Sequence, residues 1–211
     1  MTEDSTERRR TIMNALDWAY GLAVQGAGRL DSAEQLAAPF VARDGTRIEQ
    51  SNALIRWQVA KAGASGFVAG LGGLITLPIA VPANFVSVLF VQLRMIAAIA
   101  FIGGHDVRDE RVRSFAYLCL CGSAAADVAK DVGVKVGLKM TQAAVGRLSG
   151  AAFLRSNPTL GLHLATRLGG KGTVQLGLAF PLVGGLVGGV FDGVSTKVVG
   201  NVARRHFVEL S

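Results

Sequence analysis

The sequence has few of the residues on which many functional classes depend. It has two cysteines, aromatic residues make up 7% of its 211 residues, and charged residues make up 18%. Proteins that read nucleic acids usually interleave basic residues with exposed aromatics or carry a recognisable reading helix. Neither pattern is visible here. The sequence therefore predicts no nucleic-acid partner.

The scarcity of cysteine and histidine argues against disulfides and metal sites. Cys119 and Cys121 stand two residues apart, and on a helix such residues point about 200° from each other, so a disulfide between them is not expected. The three histidines, His105, His163 and His206, share no metal-ligand spacing. We therefore predict two buried thiols, no metal, no cofactor and a reducing cytoplasmic compartment.

Charged side chains are absent from one long segment. Residues 62–93 contain none, and Arg94 follows directly after them. Pro78 and Pro82 interrupt this segment, which predicts that one helix ends there and that a second helix covers residues 83–101. Burying Arg94 in lipid would cost about 2.5–3.5 kcal/mol, so a plain transmembrane span centred on it is disfavoured.

Glycine, by contrast, is abundant, with 27 residues. Several glycines stand four residues apart, such as Gly66 and Gly70 or Gly184 and Gly188. Small residues at this spacing make a flat helix face that a second backbone can approach closely. Each glycine also costs a helix roughly 1 kcal/mol relative to alanine. The spacing therefore predicts close helix crossings, either inside a soluble core or in a membrane, and it is compatible with an oligomer formed through these helices.

Local capping signals mark where several helices begin. Thr46 and Glu49 have the spacing of a capping box, in which each side chain bonds the other residue's backbone amide. Asp31 or Ser32 is the expected cap of a short helix that follows, and Asp106 is the expected cap of a later one. These signals predict that the chain between its apolar segments is helical as well.

Together these patterns predict an all-α fold. We expect a compact bundle of about seven helices with Gly-rich apolar helices at its centre. Residues 1–10 are predicted to form a flexible N-terminal tail, and residues 11–211 a single helical domain. A last apolar helix is predicted over residues 174–191, interrupted at Pro181, and it leads into a basic C-terminal helix.

Arg94 is the first candidate site residue, because it lies in an otherwise apolar helix. A buried guanidinium needs a compensating partner. Asp127 and Asp192 are the candidate carboxylates for a buried ion pair inside the bundle. Alternatively, Arg94 contacts an anionic lipid headgroup or another anionic ligand.

Two further groups of residues are candidates for anion binding. The loop at residues 168–173 contains Gly170 and Lys171 but lacks the first glycine and the metal-binding hydroxyl of a nucleotide-binding P-loop, so nucleotide hydrolysis is excluded there. It is either an ordinary turn or a site for one phosphate at a helix N-terminus. A basic group near the end of the sequence contains Lys197, Arg204 and Arg205. It is either a solvated face or a contact with an anionic membrane, worth about 1 kcal/mol per residue.

Several ordered motifs resemble those of the EcsC protein family. They are Gln92–Ala100, Gly104-His105-Asp106, Asp109–Arg113, Pro181–Gly189 with Val190-Phe191-Asp192, Thr196 and Ala203–Arg205. The family is named for a gene product encoded beside the ATPase and membrane subunits of a bacterial ABC transporter. The resemblance therefore implies a membrane-linked role, and it assigns no catalytic residue.

The net charge of +7 agrees with that implication, because it attracts the protein to anionic surfaces. We predict a non-enzymatic, membrane-associated protein of the cytoplasm, bound at the membrane periphery or inserted in it. Its predicted partner is an anionic membrane surface or a membrane protein. The alternatives are an integral membrane adaptor or subunit linked to an ABC transporter, and an enzyme that acts on a lipid or another apolar substrate.

Overall fold

A computed structural model of the protein describes residues 3–26, 30–63, 83–122 and 181–209, with side chains for residues 13–26, 30–61, 89–122 and 193–209. Six α-helices run through these residues: α1 Glu3–Gln25, α2 Ala33–Val41, α3 Arg47–Gly63, α4 Ala83–Ile102, α5 Glu110–Leu120 and α6 Pro181–Arg204. A π-helical turn, Arg205–Glu209, follows α6 directly. This part of the chain contains no β-strand. The predicted all-α fold is confirmed.

Helix α4 lies at the centre of the described bundle. It contacts each of the other five helices, and every residue from 89 to 100 is buried. A helix that is surrounded by neighbours is mostly apolar around its whole circumference. Its side chains must also fill the space between the helices to the density of a protein interior, which glycine cannot do. Helix α4 accordingly contains no glycine. The centre of the described part is therefore an aliphatic helix rather than a Gly-rich one.

Glycine does bring two helices close together at the crossing of α3 and α6, which is the most extensive helix contact in the described part. A Cβ atom on Gly200 would lie 2.8 Å from Cγ1 of Ile55, and one on Gly193 would lie 3.8 Å from Cγ1 of Val59. Because Gly193 faces the later residue of α3 and Gly200 the earlier one, the two helices run antiparallel. The glycines singled out by their spacing lie outside the part of the chain whose side chains are described.

Gly200 is expected to be the less tolerant of these two positions. Gly200→Ala places a methyl group against Ile55, and such overpacking lowers the free energy of unfolding by about 1–3 kcal/mol. Gly193→Ala is the matched control, because its methyl group makes an ordinary contact and alanine favours the helix by up to about 1 kcal/mol. Urea unfolding of both variants measures the difference. Equal effects would show that helix propensity, and not packing, decides the outcome.

Two of the predicted caps are confirmed. The Ser32 hydroxyl accepts a hydrogen bond from the amide of Gln35 at 3.1 Å, and the Ser32 amide donates to Oε1 of Gln35 at 2.8 Å. At the start of α3 the Thr46 amide donates to Oε2 of Glu49 at 2.7 Å, and the Glu49 amide donates to the Thr46 hydroxyl at 3.3 Å. These hydrogen bonds from Thr46 lower the pKa of the Glu49 carboxyl.

The prediction that Asp106 caps the next helix is wrong. Helix α5 begins at Glu110, and its cap is Asp109, whose carboxylate accepts from the amide of Arg111 at 2.7 Å. Asp106 instead accepts from the amide of Arg108 at 2.9 Å, within the turn that leads to α5. Both aspartates satisfy the local preference for a helix cap, and the length of the turn after α4 selects the later one.

The described chain is helical at both of its ends. Helix α1 begins at Glu3, and the flexibility predicted for residues 1–10 stays a prediction. Helix α6 begins at Pro181 and continues to Arg204 without a break. Proline is tolerated in the first turn of a helix, where its missing amide would have no partner. Pro181 thus lies in the first turn of α6, and residues 174–180, where the predicted apolar helix begins, lie outside the described residues.

Both cysteines are buried and neither forms a disulfide, as predicted. Burial raises the pKa of the Cys119 thiol well above its usual range. A thiol in this environment is protonated and unreactive. Cys119 and Cys121 thus serve as small packing residues between α5 and its neighbours.

Candidate functional site

The C-terminal end of α4 is built as a Schellman turn. The amide of Gly104 donates to the carbonyl of Phe101 at 2.9 Å, and the amide of His105 donates to the carbonyl of Ala100 at 3.0 Å. Gly104 has a φ of +90°, a left-handed conformation that favours glycine because a side chain would be strained there. The turn ends α4, and His105 and Asp106 follow it directly.

Arg47, the first residue of α3, closes one side of this turn. Its Nη1 donates to the carbonyl of Gly103 at 2.8 Å. A Cβ atom on Gly104 would lie 3.3 Å from the same nitrogen, so the absence of a side chain there gives the guanidinium room. Arg47 is therefore held in one place although it is exposed to solvent.

His105 connects the end of α4 to the π-helical turn. Its Nε2 lies 2.9 Å from the carbonyl oxygen of Phe207, and the two rings stand edge to face with centroids 5.4 Å apart. Because a carbonyl only accepts, Nε2 carries a proton, and in the tautomer that this hydrogen bond requires Nδ1 is an acceptor. Phe207 is buried and packs against Phe115 as well.

These residues surround an open cleft of about 650 Å³ between the α2–α3 connection and the end of α4. It is lined by Val41, Gly45, Arg47, Gln50, Phe101, Ile102, Gly104, His105 and Asp106. Its volume falls within the range of small-molecule sites. Val41 and Phe101 keep 42% and 37% of their surface exposed, so the cleft combines apolar walls with a few polar groups.

Arg94 lies apart from the cleft, inside the bundle. It is 5% exposed, its Nη1 donates to the backbone carbonyl of Asp31 at 3.1 Å, and its guanidinium lies 5.2 Å from the centre of the Phe90 ring. Its Nε has no hydrogen-bond partner among the described residues. Burial lowers the pKa of Arg94, and the charge of Asp31 opposes this shift only in part. The guanidinium is therefore buried with weak compensation from these groups.

The ion pair predicted for Arg94 stays a prediction. Asp127 lies outside the described residues, and Asp192 lies in the part of α6 whose side chains are not described. Between residues with described side chains, no carboxylate pairs with Arg94. Gly170 and Lys171 also lie outside the described residues.

The predicted basic group divides into two kinds of residue. Arg204 pairs through Nε with Oε1 of Glu209 at 3.0 Å and donates through Nη1 to the side chain of Asn52 in α3, so it joins structural elements. Lys197 and Arg205, in contrast, are exposed.

The exposed face of α6 also carries two apolar side chains. Val194 is 59% exposed and Val198 is 37% exposed. These two valines occupy the same face as Lys197 and Arg205, since the buried residues of this segment lie on the opposite side. We call Val194, Lys197, Val198 and Arg205 the basic–apolar strip. Its length is about 16 Å, the rise of eleven helical residues.

Residues 26–208, which include the cleft and the basic–apolar strip, match the model of the EcsC protein family. The chain belongs to the EcsC protein family. No curated protein and no solved structure matches this EcsC chain. None of the helices in the described stretches is long and apolar enough to cross a membrane. In the same stretches, no cluster of three histidine, cysteine or acidic side chains has the arrangement of a metal site.

Sequence reasoning missed the cleft as a site. In the sequence, Gly104-His105-Asp106 contributes to the resemblance to the EcsC family, and Arg47 lies unremarked between the capping residues Thr46 and Glu49. A polar His-Asp pair directly after a Gly-Gly helix end was a usable signal. That signal does not show which other segment completes the cleft, because Arg47 is 56 residues from the Gly103 carbonyl that it binds.

Proposed function

We propose that this EcsC protein associates peripherally with membranes by binding anionic lipid headgroups through the basic–apolar strip. The supporting observation is the alternation of exposed valines with exposed basic residues on one face of α6 and the turn after it. The valines enter the boundary between headgroups and acyl chains, while Lys197 and Arg205 stay at the level of the phosphates. The net charge of +7 adds a general attraction to the same surface.

The strip supports reversible binding only. Each basic residue near an anionic surface contributes about 1 kcal/mol. Val194 and Val198 already have part of their surface buried in the protein, so each adds about 1 kcal/mol or less. A total of at most about 4 kcal/mol is far below that of an inserted helix. We therefore expect binding that increases with anionic lipid and falls with salt.

Flotation with lipid vesicles tests this proposal. The protein is expected to float with vesicles rich in anionic lipid at low salt and to stay in solution with neutral vesicles. Lys197→Glu reverses one charge of the strip and is expected to weaken binding roughly tenfold or more. Arg43→Glu is the matched control, since Arg43 is exposed in the α2–α3 connection and lies outside the strip.

Two results would contradict the proposal. The first is an absence of wild-type binding to anionic vesicles at low salt. The second is an equal loss in the Lys197→Glu and Arg43→Glu variants, which would show that net charge attracts the protein without a defined contact face. Val194→Ser separates the apolar contribution, because its effect is expected to persist at high salt.

A further inference from the structure

The cleft at the end of α4 leaves a specific set of hydrogen-bonding atoms available. Gln50 donates through Nε2 to the carbonyls of Val41, at 3.2 Å, and Arg43, at 2.9 Å. Both amide hydrogens are thus used, and Oε1 of Gln50 remains as an acceptor. His105 uses its Nε2 hydrogen on Phe207, and in the tautomer that this bond requires its Nδ1 is a second acceptor.

The two charged residues of the cleft have opposite signs. Arg47 uses one of its five N–H groups on Gly103, and the others remain on a guanidinium that is held in place. Asp106 accepts one backbone hydrogen bond through Oδ1, from the amide of Arg108, which leaves Oδ2 as an acceptor. The cleft therefore offers one fixed cation and three acceptor atoms, beside the apolar surfaces of Val41 and Phe101.

A ligand that matches this set has one anionic group and one group with three hydrogens to donate. A primary ammonium has three N–H donors, the same number as the acceptors on Asp106, His105 and Gln50. A phosphate suits a guanidinium, which binds its oxygens with two parallel hydrogen bonds. A carboxylate or phosphate alone would leave the three acceptors, one of them charged, without donors.

We propose that this cleft binds a phosphoethanolamine group, with the phosphate on Arg47 and the ammonium on Asp106, His105 and Gln50. The group has two sources, the head of a phospholipid or the free molecule. The residues that line the cleft include none of the basic–apolar strip. A soluble probe therefore tests it without any membrane, and the outcome is independent of the vesicle experiment.

Calorimetric titration of the full chain with soluble O-phosphoethanolamine tests the proposal. The expected result is saturable binding that is at least about tenfold tighter than that of phosphocholine, whose quaternary nitrogen has no N–H to donate. Glycerol 3-phosphate, which has no amine, is expected to bind as weakly as phosphocholine. Equal binding of all three compounds would overturn the proposal, and so would an absence of binding at millimolar concentration.

Asp106→Asn is the decisive variant. It keeps an acceptor for the amide of Arg108 and removes the charge that holds the ammonium, so the preference for phosphoethanolamine is expected to fall about tenfold while glycerol 3-phosphate binds unchanged. Asp44→Asn removes a nearby exposed carboxylate that does not line the cleft, and it is expected to have no effect. Equal effects of the two variants would contradict the proposed role of Asp106.

Arg47→Gln is expected to remove binding of every phosphate compound. Because Arg47 also bonds Gly103, a melting curve must show that the variant is folded. Retained phosphoethanolamine binding in a folded Arg47→Gln variant would overturn the assignment of the phosphate. A soluble short-chain phosphatidylethanolamine identifies the source of the group. Tighter binding than the free compound indicates a lipid that also contacts Val41 and Phe101, and equal binding indicates the free molecule.

Discussion

Replacing Gly103 with alanine is expected to lower the free energy of unfolding by about 3 kcal/mol and the melting temperature by about 6–12 °C. A Cβ atom at this position would overlap the carbonyl oxygen of Phe207. Both groups belong to backbone that is held by other bonds, since the Gly103 amide donates to Ile99 at 3.0 Å and Phe207 accepts from His105. Neither can move without breaking one of them.

Thermal unfolding followed by circular dichroism measures this loss. Gly21→Ala is the matched control, because nothing lies within 4 Å of the position that its Cβ would take. That variant is expected to gain up to about 1 kcal/mol, from the higher helix propensity of alanine. If Gly103→Ala melted like the wild type, the close approach of the π-helical turn to α4 would not exist in solution.

Replacing Arg94 with methionine is expected to raise the free energy of unfolding by about 1–4 kcal/mol. The guanidinium is buried at the centre of the bundle. In the part of the chain that the structure describes, its Nε has no hydrogen-bond partner, and its one hydrogen bond is to the carbonyl of Asp31. Taking a charge out of water costs more than one such bond returns. Methionine fills similar space and packs against Phe90 without that cost.

The opposite result would be equally informative. A loss of about 3 kcal/mol or more in Arg94→Met would indicate that a carboxylate pairs with Arg94, as the sequence analysis predicted for Asp127 or Asp192. A double-mutant cycle between Arg94→Met and Asp192→Asn then identifies the partner. Met95→Leu is the control for packing at a neighbouring buried position of α4, and it is expected to change stability by less than about 1.5 kcal/mol.

The features that the sequence predicted correctly are local ones. The capping box of Thr46 and Glu49 depends on residues three positions apart, and so does the cap that Ser32 forms with Gln35. The apolar segment after Pro82 predicted a helix over residues 83–101, and α4 spans Ala83–Ile102. In each case the residues that determine the structure lie within one or two helical turns of each other, so the pattern can be recognised in one sequence.

The candidate site could not be predicted in the same way, because distant segments build it. His105 meets Phe207 across 102 residues, and Arg47 meets Gly103 across 56. The neighbours Arg204 and Arg205 look equivalent in the sequence. Arg204, the last residue of α6, binds Asn52 of α3, whereas Arg205, the first residue of the π-helical turn, is exposed. The different contacts of two neighbouring arginines depend on tertiary packing, which the spacing of apolar residues in the sequence does not determine.

The antiparallel crossing of α3 and α6 has a consequence for biosynthesis. Helix α3 leaves the ribosome about 120 residues before α6 begins, which at roughly 5–20 residues per second is an interval of about 6–24 s. Throughout it, Ile55 and Val59 lack the helix that later covers them. Contacts this distant in the chain form late and slowly. The nascent polypeptide therefore has a prolonged window in which chaperones can engage it and in which aggregation competes with folding.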